Sequence, residues 1–368
     1  MILGILKDIK EGENRVIFTP LEVAAIISAG HDALAQSGCG EKAGFEDKAY
    51  RNAGATLTTS AEEIFQKCDL VAKVKELDPS EYALLRKGQI VYCCLHPAAN
   101  KEEVDALLKS GCISFSAEDS HRYGSPNCEA AGKQGALFGL ESMLTINGGK
   151  GKFVGGFAGS PAMRVLILGG GLVGKGALEV LVALGARVTV MDINAGVLRE
   201  LKEKYAAKID TLFCTKEGIK TILPQTDMVI NCVKWPKHRK DFLIDRKMLS
   251  LMEMGSVLVD ISNDNPGAIE TSHPTTHEKP RYVVDGVVHY CVDNIPSAVA
   301  HSVSVALAAD TLPLLLKIMN NGVDAALRED EFLRAALTTY FGKLTHRETA
   351  KIQNRKLTPA EDVISKTS

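Results

Sequence analysis

The chain has 368 residues, enough for two domains that each bury a core, and its net charge of −2, with basic and acidic residues interspersed, gives no electrostatic footprint for nucleic acid. A charged residue soon interrupts the apolar start MILGILKDIKEG, no apolar run approaches about 18 residues, and the nine cysteines form no CxxC pair and no zinc-type cluster. We therefore expect a cytoplasmic protein with reduced thiols, no membrane association, no nucleic-acid partner and no metal site.

The first third of the chain alternates short β-branched runs with amphipathic stretches, the pattern of parallel α/β sheets. Strands are predicted at residues 2–6, 70–75 and 89–95, and helices at 20–29, 61–66 and 101–110. A longer helix is predicted in SPNCEAAGKQGALFGLESMLTINGG, where the small residues Ala130, Ala131 and Gly135 permit close packing. The glycine-rich NGGKGKFVGGFAGSPA that follows predicts a loop.

A second α/β series begins after this loop. Its predicted strands are RVLILGGG, RVTVMDIN, DMVINCV, GSVLVDIS and VVHYCVDN, and another long helix follows in NIPSAVAHSVSVALAADTLPLLLKIMNNG. Because two long helices bracket the second series, we predict an α/β protein with two doubly wound parallel sheets. A dinucleotide-binding domain at 127–301 is inserted into a substrate domain formed by 1–126 and 302–368.

The turn after the strand RVLIL carries the clearest motif. LILGGGLVGKGALEV places Gly169, Gly171 and Gly174 in GxGxxG spacing at the start of a helix. In such a turn the first glycine makes the bend, the second lets a pyrophosphate approach the backbone, and the third allows helix–strand packing. Asp192 ends the next strand, where a carboxylate binds ribose hydroxyls and repels a 2′-phosphate, so the pattern predicts NAD rather than NADP. The alternatives are a purely structural glycine turn and a flavin, for which no second signature is present.

Three polar residues of the first domain are candidates for the acid–base and binding chemistry that accompanies hydride transfer. Arg15 lies in the loop EGENRVIFTP, Lys75 ends VAKVKE and His96 ends CLHP. If the strands are neighbours, all three residues lie at one edge of the sheet. Arginine and lysine there suit a carboxylate, and histidine can move a proton. The alternative is that each is an ordinary surface or structural residue.

Two aspartates of the second domain follow a predicted buried strand in VLVDISNDNPGAIE. Asp260 and Asp264 lie at or just past its carboxyl end, where the reactive end of a dinucleotide lies in doubly wound folds. Aspartates in this position are also ordinary turn residues.

In combination these motifs are specific. DIKEGENRVIFTP, VAKVKE, GQIVYCCLHPAAN, LGGGLVG, VMDIN, VLVDISND, PTT and YCVDNIP follow in order along nearly the whole chain. The chain therefore resembles the alanine dehydrogenase family, which includes the NAD-binding subunit of the membrane transhydrogenase. The resemblance implies that Arg15 and Lys75 bind the substrate carboxylate. It implies that His96 and Asp264 handle the proton and that Asp192 binds the adenosine ribose. It also implies further residues that line the cofactor: Val233, Lys234, Ile261, Asn294, Ile295 and Cys128.

The chain departs from the family pattern around the expected substrate. Cys94 and Ala117 stand where alanine dehydrogenases tend to have aromatic residues, which predicts an enlarged pocket unless neighbouring residues repack. The other departures are Asn127 and Cys128 for Met-Ser, His273 for arginine, Asp293 and Ile295 for Ala and Met, and the missing Pro-Arg/Lys near the start of the second long helix.

The leading hypothesis is an NAD-dependent L-amino acid dehydrogenase that reversibly deaminates its substrate to a 2-oxo acid and ammonia. A second hypothesis is an opine-type synthase, which condenses a 2-oxo acid with the amine of another amino acid; Asp293 could hold the second amino group. A third is a non-catalytic, transhydrogenase-like NAD-binding subunit, against which the retained His96 argues. The family resemblance also implies a homo-oligomer, specifically a hexamer.

Overall fold

The computed structural model describes residues 1–236, 239–263 and 267–364. The chain forms two compact units. Unit 1 combines Met1–Ser125 with the chain from Ala300 onward, and unit 2 is Pro126–Val299. The boundaries predicted from the sequence fall one residue later at the first crossing and two residues later at the second.

The described elements alternate along the chain. The strands are β1 (Ile2–Ile5), β2 (Asp32–Gln36), β3 (Thr56–Thr58), β4 (Leu70–Ala72), β5 (Ile90–Cys93), β6 (Ile113–Ser116), β7 (Arg164–Leu168), β8 (Arg187–Asp192), β9 (Ile209–Phe213), β10 (Met228–Asn231), β11 (Val257–Asp260), β12 (Arg281–Val284), β13 (Val287–Tyr290), β14 (Leu337–Tyr340) and β15 (Lys343–Leu344). The α-helices are α1 (Pro20–Ser28), α2 (Asp47–Asn52), α3 (Ala61–Lys67), α4 (Lys101–Ser110), α5 (Pro126–Ser142), α6 (Leu172–Ala183), α7 (Ala195–Tyr205), α8 (Lys216–Ile222), α9 (Arg246–Leu249), α10 (Ala300–Asn321), α11 (Val323–Glu329), α12 (Glu331–Ala336), α13 (Arg347–Ile352) and α14 (Ala360–Val363).

Unit 1 is built on one sheet, in which the described strands follow the order β15-β14-β6-β5-β4-β1-β2-β3. Strands β1 to β6 run parallel, whereas β14 pairs antiparallel with β6 and with β15. The strand order changes direction between β1 and β4. In open parallel sheets, ligands bind beyond the carboxyl ends of the strands at such a switch point.

The loop after β1 leads into α1, whose start is fixed by local hydrogen bonds. Thr19 accepts a hydrogen bond from the amide of Leu21, and its own amide donates to the carboxylate of Glu22, which together form a capping box. Pro20 occupies the first helical position, where its missing N–H costs nothing. These contacts anchor the end of the loop that carries Arg15.

Helix α10 packs in the core of unit 1, where Leu307, Leu315 and Ile318 are completely buried. Within the described part of the chain, the segment Ile295–Asn321 is the one long and apolar enough to cross a membrane, with a mean hydropathy of 1.6. Polar residues such as His301 and Asp310 interrupt the segment, so it contains no long uninterrupted apolar run. Buried core helices share this length and composition, so the segment is weak evidence for a membrane span.

Unit 2 has a second sheet, whose described strands follow the order β12-β13-β11-β10-β7-β8-β9. All are parallel except β12, which pairs antiparallel with β13, and the switch point lies between β7 and β10. Helices α5 and α6 pack backbone against backbone: a Cβ on Gly132 would lie 1.9 Å from the Val173 carbonyl oxygen. Close packing of the glycine-containing helix, predicted from its small residues, is confirmed.

Candidate active site

The glycine-rich turn between β7 and α6 is shaped by three different glycine requirements. Gly169 has a φ of +92°, a left-handed conformation that favours glycine. A Cβ on Gly174 would lie 1.9 Å from the Gly169 carbonyl oxygen, so only glycine fits there. Around Gly171, by contrast, a Cβ would meet no atom within 4 Å. The turn therefore exposes backbone at the start of a helix, where amides and the helix dipole attract phosphate.

Asp192 ends β8 beside this turn. One carboxylate oxygen accepts a hydrogen bond from the amide of Gly170 at 2.7 Å, and the other accepts from the amide of Asn194 at 2.7 Å. The side chain stays partly exposed, and the next residue, Ile193, is 76% exposed. Asp192 thus fixes the glycine-rich turn in addition to presenting a carboxylate at the position predicted for the ribose.

The carboxyl ends of β10 and β11 are joined by a buried polar network. The Asn231 side chain donates to Asp260 at 2.8 Å, and the same carboxylate oxygen accepts from the amide of Asn263 at 3.1 Å. Asn263 has a φ of +44°, and Asn294, in the loop after β13, has a φ of +76°. Non-glycine residues held in the left-handed region cluster at functional sites. The sequence does not predict that Asp260 accepts hydrogen bonds from both Asn231 and Asn263.

The predicted cofactor-lining residues of unit 2 fall into three places. Ile261 and Ile295 lie against the same point of α5, since a Cβ on Gly135 would lie 2.6 Å and 3.6 Å from their Cδ1 atoms. Cys128 lies in the first turn of α5. Val233 and the exposed Lys234 follow β10. Asp264, predicted to handle a proton, lies outside the described residues.

In unit 1, the three predicted substrate-site residues follow neighbouring strands. β1 pairs with β4 and β4 pairs with β5, all in parallel, so their carboxyl ends meet at one edge. Arg15, Lys75 and His96 follow these three strands in turn. The condition on which the prediction depended, that the strands are neighbours, is confirmed.

Arg15 is buried and is held by a carboxylate from its own loop. Its Nε and Nη2 atoms donate to the two oxygens of Glu13 at 2.7 Å and 2.6 Å, and its amide donates to the same carboxylate at 2.9 Å. Both side chains are at most 3% exposed. This bidentate pair fixes the plane of the guanidinium group. Sequence reasoning missed Glu13, although the spacing E-x-R in a glycine-containing loop could have suggested it.

Beyond β4, the segment that carries Lys75 is fixed by Asp8. One Asp8 oxygen accepts from the amides of Val74 and Lys75 at 2.9 Å and 3.3 Å. The buried Lys73 lies 3.7 Å from the other Asp8 oxygen and 2.9 Å from Glu81. Burial raises the pKa of Asp8 to about 6, although the Lys73 ammonium acts in the opposite direction. The side chain of Lys75 itself is half-buried.

His96 adopts a left-handed backbone conformation, with a φ of +44°, and its side chain is 50% exposed. Its amide donates to Glu118 at 2.7 Å, and its Nδ1 atom lies 3.9 Å from Glu76. Burial raises the pKa of Glu118, while the charge of His96 opposes this. The Glu76 carboxylate also forms an ion pair with Lys10 at 2.6 Å. The half-exposed imidazole is thus accessible to a small molecule at this sheet edge, and imidazole is a common general acid or base.

Comparisons with known proteins decide the family. The models described as "Alanine dehydrogenase/PNT, N-terminal domain" and "Alanine dehydrogenase/PNT, C-terminal domain" match residues 4–126 and 136–347. The alanine dehydrogenase of Halomonas elongata is 38% identical over 95% of this chain and 96% of its own, and that of Bacillus subtilis is 37% identical over 99% and 98%. The chain belongs to the alanine dehydrogenase/PNT family.

Solved structures agree with this membership of the alanine dehydrogenase/PNT family. A structure of L-alanine dehydrogenase has a TM-score of 0.89 and 35% identity, covering 96% of this chain and 99% of that one. A transhydrogenase from Sinorhizobium meliloti, with a TM-score of 0.80 and 23% identity, shares the fold. The predicted family and the predicted α/β fold class are both confirmed. The protein is accordingly an oxidoreductase that acts on CH–NH2 donors, with NAD as its cofactor.

The residues of unit 2 fit a dinucleotide of this kind. The open space at Gly171 lets a pyrophosphate reach the first amides of α6, which carry no side-chain cap. Asp192 presents an acceptor where a ribose would lie, and its charge disfavours a phosphate on the 2′-hydroxyl.

Proposed function

We propose that the protein is an NAD-dependent L-amino acid dehydrogenase of the alanine dehydrogenase type, which interconverts an L-amino acid with a 2-oxo acid and ammonia. The observation that carries the proposal is that Arg15, Lys75 and His96 each follow one of three neighbouring parallel strands, whose carboxyl ends share one sheet edge, in a chain whose relatives are alanine dehydrogenases.

Each residue has a distinct task in this reaction. Arg15, oriented by Glu13, and Lys75 bind the substrate carboxylate, one as a planar fork and one as a point charge. His96 polarises the carbonyl or imine and moves the proton, and Asp264 assists it. NAD, when bound, accepts the hydride from the α-carbon of the amino acid.

The remaining predicted residues hold the cofactor. Gly169, Gly171 and Gly174 shape the phosphate turn, and Asp192 binds the adenosine ribose. The other residues that the family resemblance assigns to the cofactor line its binding site: Val233, Lys234, Ile261, Asn294, Ile295 and Cys128.

Substrates larger than pyruvate fit if Cys94 leaves the space that an aromatic ring fills in relatives. Cys94 lies directly after β5, where its amide donates to the carbonyl oxygen of Val74, the residue before Lys75, at 3.0 Å. Burial raises the pKa of its thiol, and the charges of Arg15 and Lys75 act in the opposite direction. Ala117 is completely buried in the core of unit 1. Cys94 belongs to the same core and is 5% exposed, so Cys94→Phe and Ala117→Tyr can each destabilise the fold by overpacking, which unfolding temperatures measure.

A comparison of 2-oxo acids tests the substrate size. Each additional buried methylene contributes about 0.8 kcal/mol, a several-fold gain in kcat/KM for larger substrates. Cys94→Phe should reverse this preference by steric exclusion. A wild-type enzyme that strongly favours pyruvate contradicts the enlarged pocket.

The opine-type reaction is the second candidate, because Asp293 is exposed directly beside Asn294, which the family resemblance assigns to the cofactor. Its carboxylate could hold the amine of a second amino acid. The transhydrogenase-like binding subunit is less favoured, because a half-exposed histidine, His96, is retained just after β5 with its Nδ1 atom 3.9 Å from Glu76.

One assay separates the three functions. Initial rates of NADH oxidation are measured with a panel of 2-oxo acids, each with ammonium or with one of several amino acids. Oxidation with ammonium alone supports the dehydrogenase, and a strict need for an amino acid supports the synthase. Retained NADH binding without oxidation by any pair supports the binding subunit.

We also propose that the protein is cytoplasmic, acts on small molecules without nucleic-acid or membrane partners, and assembles as a homo-oligomer, a hexamer by family resemblance. Light scattering of the purified protein tests the assembly, and a mass of one chain contradicts it.

A further inference from the structure

The segment after β4 turns away from its neighbour β1 within a few residues. The last ladder hydrogen bond between them is donated by the amide of Leu6 to the Ala72 carbonyl oxygen at 3.0 Å. On the other side, contact with the β5 segment continues, since the amide of Cys94 donates to the Val74 carbonyl oxygen at 3.0 Å. The amides of Val74 and Lys75 therefore need another acceptor on the β1 side.

Asp8 provides that acceptor. Its side chain is 3% exposed, and a single oxygen accepts from both amides, at 2.9 Å and 3.3 Å. The other oxygen is buried, lies 3.7 Å from Lys73 Nζ and has no hydrogen-bond partner among the described residues. A carboxylate thus continues the strand ladder at the switch point, and a buried lysine balances its charge.

We propose that Asp8 is a positioning residue for substrate binding: by holding the amides of Val74 and Lys75, it sets the direction in which the Lys75 side chain leaves the sheet edge. This inference rests on the proposed role of Lys75 as a ligand of the substrate carboxylate. Glu13 orients the side chain of Arg15 directly, whereas Asp8 orients Lys75 through its backbone.

In this role Asp8 affects substrate binding through Lys75 rather than independently. Asp8→Ala should raise the KM for the 2-oxo acid about tenfold or more, because small misplacements of a binding group are costly. The NADH dissociation constant should stay within about twofold, since Asp8 and the cofactor turn belong to different units. Asp8→Asn keeps an oxygen that can accept from both amides, so its KM should lie much closer to that of the wild type than to that of Asp8→Ala.

The experiment is a double-mutant cycle with Asp8→Ala, Lys75→Ala and the double variant, each checked for its unfolding temperature. Asp69→Ala is the matched control: Asp69 accepts from the amide of Ile2 at 2.8 Å, at the opposite end of β1 and β4. In the Lys75→Ala background, Asp8→Ala should add less than about twofold to KM.

Equal effects of Asp8→Ala with and without Lys75, or a comparable rise in KM for Asp69→Ala, would overturn the positioning role. So would an unchanged KM in Asp8→Ala. If Asp8→Ala unfolds, Asp8→Asn decides: as a folded protein it must have a KM within about twofold of the wild type. If Lys75→Ala alone leaves KM unchanged, the proposed function of Lys75 fails instead, and the two failures are distinguishable.

Discussion

Two substitutions in the glycine-rich turn should separate folding from cofactor binding. An alanine at Gly174 would bring its Cβ to 1.9 Å from the Gly169 carbonyl oxygen, whereas ordinary contacts begin near 3.4 Å. Backbone must then shift by about 1.5 Å, in a turn whose Gly169 already has a φ of +92°. Overpacking costs about 1–3 kcal/mol, and a clash with backbone lies at the upper end of this range, so it exceeds the gain of up to about 1 kcal/mol from the higher helix propensity of alanine.

At Gly171, by contrast, an alanine should affect cofactor binding more than folding. Its φ of −70° is ordinary for any residue, and a Cβ would meet no atom within 4 Å. Gly171→Ala should therefore lower the free energy of unfolding by no more than about 1 kcal/mol, because alanine is a poorer N-cap than glycine but displaces no neighbouring atom. The methyl group would, however, lie where a pyrophosphate approaches the backbone, so NADH affinity should fall about tenfold or more.

The assay combines urea unfolding of the cofactor-free protein with a titration of NADH fluorescence. Gly171→Ala should keep its stability within about 1 kcal/mol of the wild type and lose affinity for NADH, whereas Gly174→Ala should lose more stability. Wild-type NADH affinity in Gly171→Ala would refute the assigned phosphate site, and wild-type stability in Gly174→Ala would refute the packing argument.

Three further predictions concern single side chains. Asp192→Asn keeps an acceptor for the Gly170 amide but removes the charge, so calorimetry should show a smaller preference for NAD over NADP; an unchanged ratio contradicts the ribose assignment. His96→Ala should lower kcat by roughly 10²–10⁴-fold while NADH affinity is retained, and normal turnover would make the histidine structural. Burial raises the pKa of Glu103 from 4.5 to about 8, so between these pH values the folded protein keeps a proton that the unfolded chain has lost. The free energy of unfolding should therefore fall by about 1.4 kcal/mol per pH unit as pH rises from 4.5 to 8. Glu103→Gln should therefore stabilise the protein more at pH 8 than at pH 5 in thermal unfolding, and a pH-independent difference contradicts this.

Much of the fold follows from β-branched runs, because such runs mark strands buried on both faces of a parallel sheet. The predicted strands correspond to β1, β4, β5 and β7, among others. The strand predicted at 70–75 ends at Ala72, after which the side chain of Asp8 accepts the hydrogen bonds of the Val74 and Lys75 amides. The strand β2 was missed because its sequence, DALAQ, is rich in alanine, which favours helices. The edge strand β9 was missed as well, with its mixed sequence IDTLF.

The candidate site could be predicted where a residue follows a recognisable strand or turn. This holds for Arg15, Lys75 and His96. Their carboxylate partners, Asp8 and Glu118, were missed because an acidic residue in a loop has no periodic signal that separates it from a surface charge. One signal was available: Lys73 stands inside the apolar run VAKV, and a charge in a buried strand requires a nearby partner.

The most direct test of the central claim is the identity of the amine. The enzyme is incubated with NADH, a 2-oxo acid such as pyruvate, and ammonium labelled with a heavy nitrogen isotope, and the product is analysed by mass spectrometry. A dehydrogenase of the alanine dehydrogenase type should form a labelled L-amino acid in equal amount to the NADH consumed. Oxidation of NADH only after addition of an unlabelled amino acid, with a secondary amine as the product, would contradict it.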